Sequence, residues 1–167
     1  MFRTLDDFFG AYGYLTAGTE KILAKLNNKN LGKRVAPGHR TLGDLGWHIV
    51  VTIPEMMNKT GLGISSIDPT EMPPKSAKKI QTAYKKVTEE LAAAVKKNWR
   101  DKTLLQSDDL YGEKWPRGVT LAVLMGHETH HVGQMTVLLR LAGRKVPGIM
   151  GPSKEEWKQF GMEEPAY

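Results

Sequence analysis

The chain is 167 residues long, carries a net charge of +6 from 24 Lys and Arg against 18 Asp and Glu, and contains no cysteine. A single domain of that length buries about 70% of the surface its unfolded chain exposes, so an ordinary core forms without cross-links, and residues 1–167 read as one domain. Without cysteine, disulfides, thiolate metal sites and a thiol nucleophile of the protein's own are excluded.

The opening MFRTLDDFFGAYG lacks the basic segment and apolar run of a signal peptide, and no stretch approaches the roughly 20 apolar residues of a membrane span. The expectation is a cytoplasmic protein with no membrane partner. A helical period runs from about Leu5 to Leu26 through Phe8, Phe9, Tyr12, Leu15, Ile22 and Leu23, and Thr4 followed by Asp7 resembles a capping box. NNKNLGKRVAPGHR is a loop by its Asn, Gly and Pro content.

A second helix begins near Thr41 with Asp44 in its first turn and an apolar stripe of Leu42, Leu45, Ile49, Ile53 and Met56. Pro54 inside it predicts a kink or an early end. After the connector GLGISSIDPTEMPP, a third helix from about Ser76 to Trp99 places Ile80, Tyr84, Val87, Leu91 and Val95 on one side. The lysine excess sits on this helix and its approach (Lys75, Lys78, Lys79, Lys85, Lys86, Lys96, Lys97). Glu89 and Glu90 interrupt it and no arginine is interleaved, so it reads as a solvated face rather than a nucleic-acid groove.

A long loop through Trp115, Pro116, Arg117 and Gly118 leads to a fourth helix from about Val119 to Leu141, which Gly143 stops. A Pro- and Gly-containing connector and a short helix capped by Ser153 and Glu156 close the chain. No segment alternates apolar and polar residues as a strand would. The fold expected is all-α, an antiparallel four-helix bundle with a short C-terminal helix.

Chemistry concentrates in GHETHHVGQMT, residues 126–136, which holds three of the five histidines. On the fourth helix, positions 120, 124, 127, 131, 135, 138 and 142 share a face that Leu124, Met135, Leu138 and Ala142 mark as buried, so His127 and His131 point inward one turn apart. Burying two imidazoles costs free energy unless their nitrogens are paired, and one divalent ion pairs both. His48, beside the stripe of the second helix, completes a three-nitrogen site if the two helices face one another. Three neutral ligands leave a coordination position open, as catalytic sites do. Asp44, one turn before His48, is a candidate acceptor for that ring's other N–H. His130 falls on an adjacent face, as a surface residue or a support to the ligands, and His39 reads as an ordinary loop residue, a place near the mouth of the bundle being the alternative.

His127 to His131 also fits H-E-x-x-H, the zinc-peptidase pattern with Glu128 as general base. The extended form fails, because Gln134 and Val137 stand where a Gly and a third His belong. Glu155 and Glu156, the carboxylates left as a third ligand, sit on an outer segment, and there is no edge strand for an extended peptide.

Over residues 5–160, the combination of His48, the H-E-x-H-H-x-G-Q form from His127 to Gln134, and the following LLRLAGRKVPGIMGPSKEEW resembles the DinB-like (DinB/YfiT) family of metal-dependent four-helix-bundle proteins. Val132 and Met150 depart from residues frequent in relatives, a basic and an aromatic side chain respectively. The resemblance implies His48, His127 and His131 as metal ligands, a cleft at one end of the bundle, and a homodimer. It implies a transferase that uses a low-molecular-weight thiol (bacillithiol, mycothiol or glutathione) against an electrophilic substrate. With nitrogen ligands alone Zn²⁺ is the default ion, and Ni²⁺, Co²⁺ or Fe²⁺ are allowed. Glu128 or His130 is the candidate proton relay. The competing readings are a metal-dependent hydrolase using bound water and a non-catalytic metal-binding stress-response protein.

Overall fold

The computed structural model describes residues 2–166. Among them four long helices form: α1 (Leu5–Leu23), α2 (Leu42–Met57), α3 (Ala77–Asn98) and α4 (Arg117–Leu141). α1 and α2 each pack on both α3 and α4, so the four close a ring around one core. The all-helical expectation is met. No helix among the described residues is long and apolar enough to cross a membrane.

The helix starts are set by the residues the sequence marks. Thr4 accepts from the Asp7 N–H while Asp7 accepts from the Thr4 N–H, and Thr41 and Asp44 repeat the arrangement at α2. The Asp7 carboxyl is held below its ordinary value by the backbone N–H of Arg3. α1 stops at Leu23 rather than Leu26 because the asparagines that follow offer the backbone other partners: Asn27 and Asn30 exchange side chain–backbone bonds, and the Asn30 amide donates to the Lys25 carbonyl.

α2 is buried on nearly every side. Gly46 permits this, since a Cβ there would stand 3.3 Å from both Ile80 and Leu26. The helix runs one turn past its start of disruption at Pro54, to Met57, and closes in a 3₁₀ turn over Asn58–Thr60. α3 buries the whole expected stripe, Ile80, Tyr84, Val87, Leu91 and Val95. α4 ends as predicted: Gly143 adopts φ 68°, the Gly143 N–H donates to the Arg140 carbonyl and the Arg144 N–H to that of Leu139.

Two expectations need correction. The segment before α4 is not a plain loop: β1 (Ser107–Leu110) and β2 (Glu113–Pro116) pair antiparallel, joined by Tyr111 and Gly112, both at positive φ. Leu110 is the one fully buried side chain of this ribbon, so no apolar alternation announces it. Its base is held by the Arg117–Asp108 ion pair at 2.8 Å, with the Arg117 guanidinium 5.1 Å from the Trp99 ring centre. At the C-terminus the short helix is a 3₁₀ turn over Trp157–Phe160. Glu156 accepts from the N–H groups of Ser153 and Gly148, but the buried Ser153 hydroxyl makes no return bond, so the expected cap is only half formed, and Ile149 lies against Gly18 of α1.

Candidate metal centre

α2 and α4 face one another in the ring, and this contact brings His48 to His127 and His131. The His127 Nε2 lies 3.2 Å from that of His48 and 3.1 Å from that of His131. Four-coordinate binding at about 2.0–2.1 Å places ligand nitrogens about 3.3 Å apart, so the rings are set for one ion. Hydrogen bonding alone serves them poorly. A neutral His127 ring offers at Nε2 either one proton or one lone pair, yet it has two neighbours.

Gln134 fixes what His131 presents to that point. The His131 Nδ1 is 2.8 Å from the Gln134 side-chain oxygen, which only accepts, so the ring proton sits on Nδ1 and the Nε2 lone pair faces the other histidines. The Gln134 amide nitrogen is 3.1 Å from His130 Nε2 and donates to it. The result is a chain from the exposed His130 through Gln134 to the cluster. Burial lowers the pKa of all three clustered rings: His48 falls to about 4, with the Arg40 cation adding to desolvation, and His127 and His131 shift the same way. Neutral rings are the form a metal needs.

The structure assembles the three predicted ligands and leaves other candidates elsewhere. The Asp44 carboxylate bonds the Thr41 N–H and makes no bond to His48. Gln134, three residues after His131, is the orienting partner instead; its helical spacing was visible in the sequence, but its role was not. Glu128 is 2% exposed and turned away from α2, with its Oε1 accepting from the Tyr84 hydroxyl at 2.5 Å and the Thr19 hydroxyl at 2.6 Å. Burial raises its pKa against the pull of those two bonds. The buried face of α4 accordingly runs through Leu121, Leu124, Glu128, His131, Val132, Met135 and Leu138, and His127 is half-buried at its edge.

Beside His131 opens a cleft of about 500 Å³ lined by Val35, His39, Arg40, Leu45, His130, Gln134, Val137 and Leu138. His39 therefore stands at the mouth of the site. On another side Glu55 of α2 is tied to Lys59 and to the Tyr111 hydroxyl.

The DinB family profile matches residues 1–165. The chain belongs to the DinB family. An uncharacterized protein of Bacillus subtilis, YrdA, is 38% identical over 165 residues, which is 99% of both chains. The crystal structure of a DinB-like protein from Bacillus cereus superposes with a TM-score of 0.85 at 39% identity, covering 89% of this chain and 99% of that one. A DinB-like protein of Bacillus subtilis, YjoA, shares the fold at a TM-score of 0.69 and 21% identity, covering 86% of this chain and 96% of that one. Within this DinB-family chain the three histidines are positioned to bind a metal ion.

Proposed function

We propose that His48, His127 and His131 hold a divalent ion, with Zn²⁺ the default for three nitrogens, and that the protein transfers a low-molecular-weight thiol to an electrophilic carbon. The observation that carries the reading is the convergence of three Nε2 atoms beside an open cleft, one of them oriented by Gln134. When bound, a divalent ion supplies Lewis acidity that brings a thiol, ordinarily of pKa about 8.5, to its thiolate form near neutral pH.

The chain's own side chains do the rest. With no cysteine in the sequence, sulfur arrives as cosubstrate. The cleft positions thiol and electrophile together and is the size of a small-molecule site. A sulfur–carbon bond forms as the leaving group departs with its electron pair. His130 lines the same cleft with its one lone pair, on Nε2, accepting from the Gln134 amide, so we assign it to hold Gln134 against His131 while the thiol proton leaves to solvent. Glu128, enclosed by Tyr84 and Thr19, is given no part in proton transfer.

Elemental analysis of the purified protein tests the metal, and a screen of glutathione, bacillithiol and mycothiol against epoxides and aryl halides tests the reaction. The expected result is bound divalent ion and thiol-dependent turnover, both lost in His131→Ala with helicity retained. Failure to take up any divalent ion would overturn the metal site. Turnover that ignores thiol would overturn the transferase reading in favour of hydrolysis.

A further inference from the structure

The cleft beside His131 has an electrostatic sign that the metal-site reading does not use. Its lining includes the Arg40 guanidinium and the His39 and His130 imidazoles, and no acidic side chain. Arg40 sits in the loop before α2, and among the described residues no carboxylate forms an ion pair with it. The nearby acid, Glu55, is engaged by Lys59 and Tyr111. Three neutral histidines would leave the charge of a divalent ion uncompensated, which strengthens the cleft's bias toward anions.

The same wall is apolar elsewhere. Leu45 and Leu138 form part of its lining, and Val35 and Val137 stand 65% and 55% exposed on it, one from the loop and one from α4. Exposed valines beside an unpaired guanidinium suit a ligand with an apolar body and one anionic end. A volume of about 500 Å³ limits that ligand to a small molecule.

We infer that this cleft recognises a small organic anion, gripped by Arg40 and packed along Val35, Leu45, Val137 and Leu138, with its other end directed at the histidines. The inference rests on the metal-site reading only for which end of the ligand faces the rings. Arg40 is a binding residue here, because its planar fork pairs with carboxylate or sulfonate oxygens.

Calorimetric titration with four thiols of matched length separates the possibilities: 3-mercaptopropionate, 2-mercaptoethanesulfonate, 2-mercaptoethanol and cysteamine. Calorimetry reads binding in metal-loaded and in chelator-treated protein alike, and metal content is measured on each sample. The anionic pair should bind about tenfold more tightly than cysteamine at low salt, with the margin shrinking as salt is added. Arg40→Gln should abolish the preference with metal content unchanged, and Arg40→Lys should retain part of it. Charge-blind binding, or a preference that survives Arg40→Gln, overturns the inference while leaving the metal site intact. A wild-type protein that takes up no metal sinks the function proposed above, and the stripped protein still decides the anion preference.

Discussion

His127 and Glu128 are consecutive residues of one helix, yet they serve two polar clusters of opposite character. The histidine faces α2, where two further imidazoles and a cleft meet it. The glutamate faces α1 and α3, where Thr19 and Tyr84 bond one carboxylate oxygen in a region sealed from solvent. In the first cluster three ring nitrogens converge and hydrogen bonds among them cannot satisfy all three, a demand that a cation fills. In the second, hydroxyl donors meet an acceptor inside the core, an arrangement that fixes the rotation of α4. A short motif of polar residues thus divides into a ligand-binding side and a packing side according to what the neighbouring helices present.

The sharpest way to break this comparison is to remove one member from each side. His131→Ala should weaken metal binding more than about 100-fold, beyond the 10–100-fold typical of losing an outer hydrogen-bond partner, with helicity unchanged by circular dichroism. Equal metal affinity in the variant would show that the cluster is not the binding site. Glu128→Ala should do the reverse, costing about 2–4 kcal/mol in urea denaturation by stranding the Thr19 and Tyr84 hydroxyls in the core. If that variant lost metal without losing stability, the division between the two sides would be wrong.

Gln134→Leu is subtler. It should reduce metal affinity about 10–100-fold by freeing the tautomer and tilt of His131, and Gln134→Glu should restore most of it. Metal titrations followed by equilibrium dialysis read the difference.

In chelator-treated protein the two clusters should also differ in pH response. Folding depresses the three histidine pKa values below the ordinary 6.5, so their contribution to stability is full above that pH and is lost as pH falls toward the folded values, about 4 for His48. Glu128 is raised above the ordinary 4.5, so its contribution is full below that value and is lost as pH rises through the folded pKa. His48→Ala should flatten the acid limb of the urea midpoint against pH, and Glu128→Gln the opposite limb. Identical profiles for the two variants would contradict the assignment. The smallest effect belongs to Asp44→Ala: loss of the carboxylate half of the α2 capping box, at most about 1 kcal/mol, with metal affinity untouched.

Much of this was legible in the chain before folding was considered. The Thr4–Asp7 and Thr41–Asp44 pairs, the apolar stripe of α3 and the stop at Gly143 are local codes, satisfied by residues within a turn of one another. His48, His127 and His131 were identifiable for a related reason: imidazoles near the apolar faces of helices need partners. The ribbon of β1 and β2 carries no such local code, because its anchors are Leu110 and the Arg117 contacts rather than an alternating pattern.

The rotation of α4 was not written locally. Periodicity put His127 on the buried face, but α4 packs on both α1 and α2, and the hydroxyls of Thr19 and Tyr84 draw Glu128 inward so that His127 comes to rest at the edge. The choice of Gln134 over Asp44 as partner to the histidines was likewise settled by which groups were already engaged. The sequence by itself determined the helices, their ends and the identity of the three imidazoles, because those depend on neighbours along the chain. Tertiary structure decided which polar groups of α4 meet solvent and which meet hydroxyls, because only the packing of α1, α2 and α3 around it distributes donors, acceptors and water.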